Sequence, residues 1–490
     1  MNTKALRQKV LDLAIHGKLV PQNPNDESAT VLLEKIRAEK AEKIKKGELK
    51  ADKKDSFIFV GSDKRHYEQF ADGTVKDIED EIPFEVPDGW AWCRLGELFY
   101  HTTGKALKKS NNKGSLRKYI TTSNLYWNKF DFTEVREMYF TDDELDKCTI
   151  KKGDLVLCNG GDVGRAAIWN YNEDICYQNH VSRLRPKIEG INNSLYLYLL
   201  MFYKEQGMLN GKGVGITSLS ANDLLSAIFP LPPLNEQNSI VTSIENIFEQ
   251  IEHLDQEKSD LQTIIKQTKS KILDLAIHGK LVPQDSNDEP AEELLKRIAT
   301  SDNRPYKKID EDEALFDIPE SWSWCTLGEI YTHITGKALK KTNNKGTLRK
   351  YITTSNLYWN SFDFTEVREM YFTDDELEKC TIKKGDLILC NGGDVGRAAI
   401  WNYDYDICYQ NHVSRLRPKN KNINNSFFLY VIMIYKQQGI LNGKGVGIIS
   451  LSASDLLSAV VPLPPYSEQN RIVEKIECLY GNLTIINNQL

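Results

Sequence analysis

The sequence predicts an α+β protein in which two pseudo-two-fold-related mixed α/β domains are separated by an antiparallel coiled coil of long helices. Three observations carry this. A block of about 140 residues occurs twice at an offset of 232, a shorter motif occurs twice at an offset of 262, and heptad-spaced apolar residues run between and outside the blocks. Gly104-Lys105-Ala106-Leu107-Lys108-Lys109 returns at Gly336 to Lys341, Cys158 to Asp162 at Cys390 to Asp394, Gln178 to Arg183 at Gln410 to Arg415, and Pro230 to Pro233 at Pro462 to Pro465. Between 101 and 230 the copies differ at about 22 positions, roughly 83% identity, so the unit is a duplicated domain and not a solenoid repeat.

The helices come next. From Asn235 to His278, the residues Ile240, Ile244, Ile247, Ile251, Leu254, Leu261, Ile265, Ile272 and Leu275 fall on 4/3 spacing, interrupted at Lys258 and Thr268. Pro233 precedes the start, Asn235 is the expected cap, and His278-Gly279 ends the helix. At 1.5 Å per residue this is a rod of roughly 66 Å. Ile472, Ile476, Leu479, Leu483, Ile486 and Leu490 repeat the first half of the seam, and Leu6, Val10 and Leu13 the second half. The expectation is a second rod split between the chain ends and antiparallel to the first; two amphipathic helices packed on their own globes are the alternative.

Within each globe, short β-like runs are expected at Lys118 to Thr122, Asp154 to Cys158, Ala166 to Trp169 and His180 to Arg185, with helices at Asp142 to Lys147, Ser194 to Gln206 and Ala221 to Ala227. The region between Gln22 and the first globe is expected to be linker and insertion, which the second copy replaces with a short linker, Asp285 to Asp312.

Composition bounds the function. The chain has 490 residues, a formal net charge of −6, 40% hydrophobic and 27% charged residues. That is ordinary globular composition, and it excludes a uniformly basic nucleic-acid coat but not local basic patches. No apolar run is long enough to span a membrane and the first residues lack a secretion signal, so a cytoplasmic location is expected. The nine cysteines form no CxxC pair or zinc spacing and are expected to be buried thiols. No nucleotide loop, HExxH or catalytic triad is visible, so no catalytic residue, resident cofactor or metal is expected.

Charge is segregated along each globe. Thr102 to Asn128 carries six basic residues and no acidic one. Basic groups suit phosphates, while amides and hydroxyls suit base edges and sugar-phosphate oxygens. The candidate DNA contacts there are Lys105, Lys108, Lys109, Asn111, Asn112, Lys113, Arg117, Lys118, Thr122 and Asn124. Three further segments add Arg165 after the Gly-rich turn from Asn159, Gln178 and Asn179 before a strand, and Lys212 in a second Gly-rich turn. The second copy supplies Lys337, Lys340, Lys341, Asn343, Asn344, Lys345, Arg349, Lys350, Thr354, Asn356, Arg397, Gln410, Asn411 and Lys444. Solvated polar loops and plain backbone turns are the alternative reading of the same residues.

Pro230-Leu231-Pro232-Pro233-Leu234-Asn235-Glu236-Gln237-Asn238-Ser239-Ile240-Val241, repeated from Pro462 to Val473, precedes a long helix and Ile272 to Gln284. With Gly153 to Val156 and the Gly160/Gly161/Gly164 spacing, the whole chain resembles the DNA-sequence specificity subunits of type I restriction-modification enzymes. The resemblance implies an N-terminal helix (1–22) completing the distal rod, a linker or insertion (23–81), target-recognition domains at 82–233 and 316–465, a central coiled-coil helix (234–284), a linker (285–315) and a C-terminal helix (466–490). It also implies double-stranded DNA as ligand and two modification subunits carrying S-adenosylmethionine and adenine methylation. Two restriction subunits that use ATP and Mg can join. Rod faces and the segments Leu11 to Gln22 and Leu273 to Gln284, with Lys18 and Lys280, would dock those subunits. Recognition domains within one family member generally differ, whereas these are nearly identical, so an interrupted palindrome is expected. Ser110/Thr342, Ser115/Thr347 and Lys129/Ser361 are silent or tune one position. A stand-alone bivalent DNA-binding regulator, a self-contained nuclease or methyltransferase, and a structural coiled-coil protein are the competing readings.

Overall fold

The computed structural model describes residues 2–48, 55–107, 113–209, 218–339, 345–441, 443 and 450–490. The chain forms two compact units, Met1–Gln256 and Glu257–Leu490. The division falls inside one 44-residue α-helix, Leu234–Ile277.

In the first unit the centre is the strand Leu155–Cys158, whose four residues are all buried. It is apolar at every position because both its faces are covered. Leu155 and Leu157 join one core with the helix Asn193–Glu205 and the start of the long helix, while Val156 and Cys158 join another with Tyr119, Ile120, Phe140 and Tyr177. Two four-stranded sheets meet across that second core. One is antiparallel, in the order Ala166–Ile168, Leu155–Cys158, Val181–Pro186, Phe99–Thr103. The other is mixed, in the order Thr149–Ile150, Ile175–Tyr177, Ser115–Ile120, Arg136–Phe140, with a parallel pairing of Cys176 to Tyr119. The second unit repeats both sheets in the same order. The helices expected from the sequence are found at Asp142–Cys148, Asn193–Glu205 and Ala221–Leu225.

The repeated motif at the head of each long helix has a physical role. Glu236 is 4% exposed and accepts hydrogen bonds from Trp90 Nε1 (2.9 Å) and Gln22 Nε2 (2.7 Å). Burial pushes its carboxyl above the ordinary value, against those two bonds. The next residue, Gln237, accepts from the Asn192 backbone N–H and donates to Pro232 O, and Asn238 Oδ1 accepts from Asn192 Nδ2. Gly17 lies at φ +62, and a Cβ there would sit 2.3 Å from Pro87 Cγ, so the chain turns under the globe only with glycine at this position. The second unit uses Glu468, Trp322, Gln284, Gln469, Asn424 and Gly279 in the same way. The helix begins at Leu234, one residue before the expected cap; Asn235 instead donates to Asp26 Oδ1.

Each unit also packs a chain-end helix on its half of the long helix. In the first, Val10 and Leu11 of Thr3–Ile15 share a core with Ile240, Val241 and Ile244, and Arg7 pairs with Asp255 at 3.5 Å. In the second, Ile472, Val473 and Ile476 of Tyr466–Gln489 share a core with Ile272, Leu273 and Ala276, and Tyr480 Oη donates to Lys269 O at 3.0 Å.

The region expected to be linker and insertion, 23–81, is folded over much of its length. It contains the helix Ala29–Lys45 and a three-stranded antiparallel sheet, Ser56–Val60, His66–Phe70 and Val75–Asp77. The second linker contains the helix Ala291–Ser301, which buries Leu294, Leu295 and Ile298. The sheet is anchored by the nearly buried Glu68, which accepts from Arg94 Nη2 (2.6 Å), Arg94 Nε (3.2 Å) and Ser56 Oγ (2.5 Å). Burial favours the neutral acid there, yet the Arg94 and Ser56 bonds hold the carboxyl below its ordinary value. Thr326 stands where Arg94 does and caps the helix Leu327–Ile330 with Glu329. Arg94→Ala is therefore expected to leave the buried Glu68 without its cation, holding only the Ser56 bond, at a cost of about 3 kcal/mol to the sheet. Hydrogen exchange should speed up across 56–77 with little change in the Leu155–Cys158 strand; unchanged exchange at 56–77 would contradict the anchor.

Candidate nucleic-acid interface

Four chain segments converge on one edge of each unit. In the first, a parallel bridge joins Lys105 to Gln178 and an antiparallel bridge joins Gly160 to Ser218. Asn159 Nδ2 ties them by donating to Asn179 O (3.2 Å) and Ser182 Oγ (3.0 Å), and Leu219 N donates to Asn159 O (2.9 Å). Gly104 makes the approach feasible: a Cβ there would lie 2.2 Å from Tyr177 O. The second unit repeats the bridges as Lys337 to Gln410 and Gly392 to Ser450, with Asn391 donating to Asn411 O and Ser414 Oγ.

The candidate residues separate into groups. Lys105 and Lys337 have internal partners. Lys105 Nζ donates to Tyr139 O (2.7 Å) and Glu144 Oε2 (2.6 Å), and lies 5.2 Å from the Phe140 ring centroid; Lys337 does the same with Tyr371, Glu376 and Phe372. Asn124 and Asn356 are buried and saturated. Asn124 Oδ1 accepts from Thr121, and its Nδ2 donates to Asp131 O and Glu134 O, closing the loop on itself; Asn356 does the same with Thr353, Asp363 and Glu366. Thr122 and Thr354 are half-buried, and their carbonyls accept from Arg165 and Arg397.

The remaining described candidates face outward. Lys113, Arg117 and Lys118 are exposed at and before the strand Ser115–Ile120, as are Lys345, Arg349 and Lys350 at Thr347–Ile352. Gln178, Asn179, Gln410 and Asn411 are half-buried at the converging edge, and among the described residues their side-chain amides form no hydrogen bond. Lys108, Lys109, Asn111, Asn112, Lys212, Lys340, Lys341, Asn343, Asn344 and Lys444 lie outside the described residues. Sequence reading left out Tyr126 and Tyr358, which stand exposed beside Arg165 and Arg397. The signal available was their place in the identical Ser-Asn-Leu-Tyr-Trp-Asn run of both copies.

Burial pushes the thiols of Cys158 and Cys176 up to about 11, so they are protonated at neutral pH and poor nucleophiles. Burial and Arg183 hold the His101 imidazole below its ordinary value, and its Nε2 lies 2.9 Å from Ser182 Oγ. Eight cysteines are buried and Cys478 is exposed. Among the described residues no group of three or more His, Cys, Asp or Glu could hold a metal, and no helix is long and apolar enough to cross a membrane.

The copies differ unevenly. About ten of the roughly 22 differences fall between Ile188 and Met208, on and around the helix Asn193–Glu205, and none falls on a candidate contact.

The Lys105–Glu144 pair has a measurable signature. The Lys105 ammonium holds the Glu144 carboxyl below the ordinary glutamate value, and Lys337 does the same to Glu376. The stability each pair contributes is present above that ordinary value and is lost as pH falls through the depressed one. Lys105→Met is expected to cost about 1–3 kcal/mol at pH 7 and to flatten the acid limb of urea unfolding below the ordinary glutamate value. An acid limb as steep as in the parent would contradict the internal role.

A family model described as type I restriction modification DNA specificity domain matches residues 87–263 and 319–490, well over half the chain. The chain is 27% identical to the type I restriction enzyme EcoAI specificity subunit of Escherichia coli, over 97% of this chain and 88% of that protein. It is 24% identical to the EcoEI specificity subunit of the same species, over the same shares. Its fold is similar to the crystal structure of the HsdS subunit from Thermoanaerobacter tengcongensis, with TM-score 0.54, 17% identity, and coverage of 84% of this chain and 93% of that one.

Proposed function

The chain belongs to the type I restriction-modification DNA specificity family, and from that premise we propose that its two units read the same short base sequence on opposite strands of one interrupted palindrome. Sequence-specific DNA recognition is the activity, and the chain is not catalytic by itself. One observation carries the symmetric reading: every candidate contact is identical in the two units, and the same four segments are brought together by the same bonds.

The long helix and the chain-end helices set the gap between the half-sites, about one helical turn of DNA or a multiple of it. Two modification subunits carry S-adenosylmethionine and methylate adenine, and two restriction subunits supply ATP- and Mg-dependent cleavage. The rod faces and the segments around Lys18 and Lys280 receive them. The assembly works in the cytoplasm. Outward cations such as Lys118 and Lys350 meet phosphates, while the side-chain amides of Gln178, Asn179, Gln410 and Asn411 face base edges.

Adenine methylation mapped in DNA from cells that carry this chain with its modification subunit tests the proposal. The expected motif is a single word followed, after a fixed gap, by its reverse complement. Two unrelated half-site words would defeat it.

A further inference from the structure

A short hairpin beside the converging edge is not among the candidate contacts. Leu125–Tyr126 pairs with Lys129–Phe130, turning through Asn128 at φ +52. The register sets Leu125 opposite Phe130 and Tyr126 opposite Lys129. Alternate residues of a strand face opposite sides. Leu125 and Phe130 pack into the core with Trp169, and Tyr126 and Lys129 stand together on the outward side.

Tyr126 is 40% exposed, with the Arg165 guanidinium 5.2 Å and the Lys129 ammonium 5.9 Å from its ring centroid. Arg165 is fixed there, because Nη2 donates to Thr122 O (2.7 Å) and Nη1 pairs with Asp162 (3.3 Å). Asn128 N donates to Ala166 O (3.0 Å), which locks the hairpin to the strand leaving the Gly160–Arg165 turn. The nearby acids are engaged: Asp162 with Arg165 and Lys204, and Asp131 with the Thr133 backbone N–H and with the charge of Lys129. The second unit repeats this with Tyr358, 47% exposed, Arg397 at 5.2 Å and Asn360 at φ +51. One outward residue differs: Ser361 stands in place of Lys129.

We propose that this hairpin is a further DNA-contacting element of each unit, and that Lys129 gives the first half-site one phosphate contact that the second lacks. The inference rests on the DNA-recognition reading above. An outward tyrosine whose ring is flanked by cations suits a sugar-phosphate backbone, to which O–H and N⁺–H groups donate. Arg165 is a positioning residue: its donors are directed into the protein, and it holds the tyrosine ring outward. The molecule therefore carries an internal comparison, two equal hairpins differing by one charge.

The experiment uses the assembled complex with its modification subunit and a duplex bearing the mapped methylated motif. Affinity is measured against salt concentration for the parent, Lys129→Ser, Ser361→Lys and the double exchange. Each phosphate contact contributes about 0.9 to the slope of log K on log salt. Lys129→Ser is expected to make the slope shallower by about one and Ser361→Lys steeper by about one, with the double exchange restoring the parent slope. The gain in Ser361→Lys cannot come from misfolding. Unchanged slopes with intact binding would overturn the hairpin proposal and leave DNA recognition standing. A parent that fails to bind the duplex would overturn the underlying reading as well. If Tyr126→Ala loses the modification subunit while the slopes stay put, the hairpin faces protein and the proposal falls.

Discussion

The buried carboxylate at the head of each long helix is the constraint on which the rest of each unit depends. Glu236 takes Trp90 from the start of the globe and Gln22 from the returning N-terminal segment, and its neighbours Gln237 and Asn238 take Asn192 from the cap of the inner helix. Three stretches distant in sequence are thus held on one turn of helix. A carboxylate that has lost most of its water is tolerated only while both oxygens have donors, so the geometry is restrictive as well as cohesive. Glu468 takes Trp322 and Gln284 in the same way, and its neighbours Gln469 and Asn470 take Asn424. Each unit therefore fixes its helix to its globe by the same bonds. A reading edge built on that globe is in turn fixed relative to the helix.

The edge itself shows how backbone packing sorts charged residues. Lys105 and Lys118 belong to one basic run, yet they end in opposite environments. Gly104 draws the chain under Tyr177 and Gln178, which carries Lys105 inward to Glu144; Lys118 sits on a strand whose first four residues are exposed. Asn124 looks like a base-reading amide, but it is the bolt of its own loop. Sequence divergence between the copies is densest around the helix Asn193–Glu205, where Leu195/Phe427, Tyr196/Phe428, Leu199/Val431, Leu200/Ile432 and Phe202/Ile434 exchange one buried apolar or aromatic side chain for another.

Much of the fold was legible. The 232-residue offset exposed the duplication, and Leu155 to Cys158 read as a strand because an all-apolar run of four bounded by turns has few other uses. The long helix was plain from its seam, within a residue at either end. The sheet from Ser56 to Asp77 was missed because the Lys/Glu-rich run ahead of it read as linker. Its own signals, Phe57-Ile58-Phe59-Val60 and the Asp72-Gly73 turn, were present. The site was less legible. Convergence of the segments at 105, 160, 178 and 218 depends on bridges between residues up to about seventy apart, and spacing alone does not announce such pairings. Nor does composition show which lysine is turned inward.

The central claim is that the two units are interchangeable readers, each fixed to its helix by one set of bonds. Replacing residues 333–462 by residues 101–230 within the full chain tests this most directly, with the methylated motif as readout. The motif and its gap are expected to stay unchanged. A changed half-site word, with the chain still folded and assembled, would contradict it.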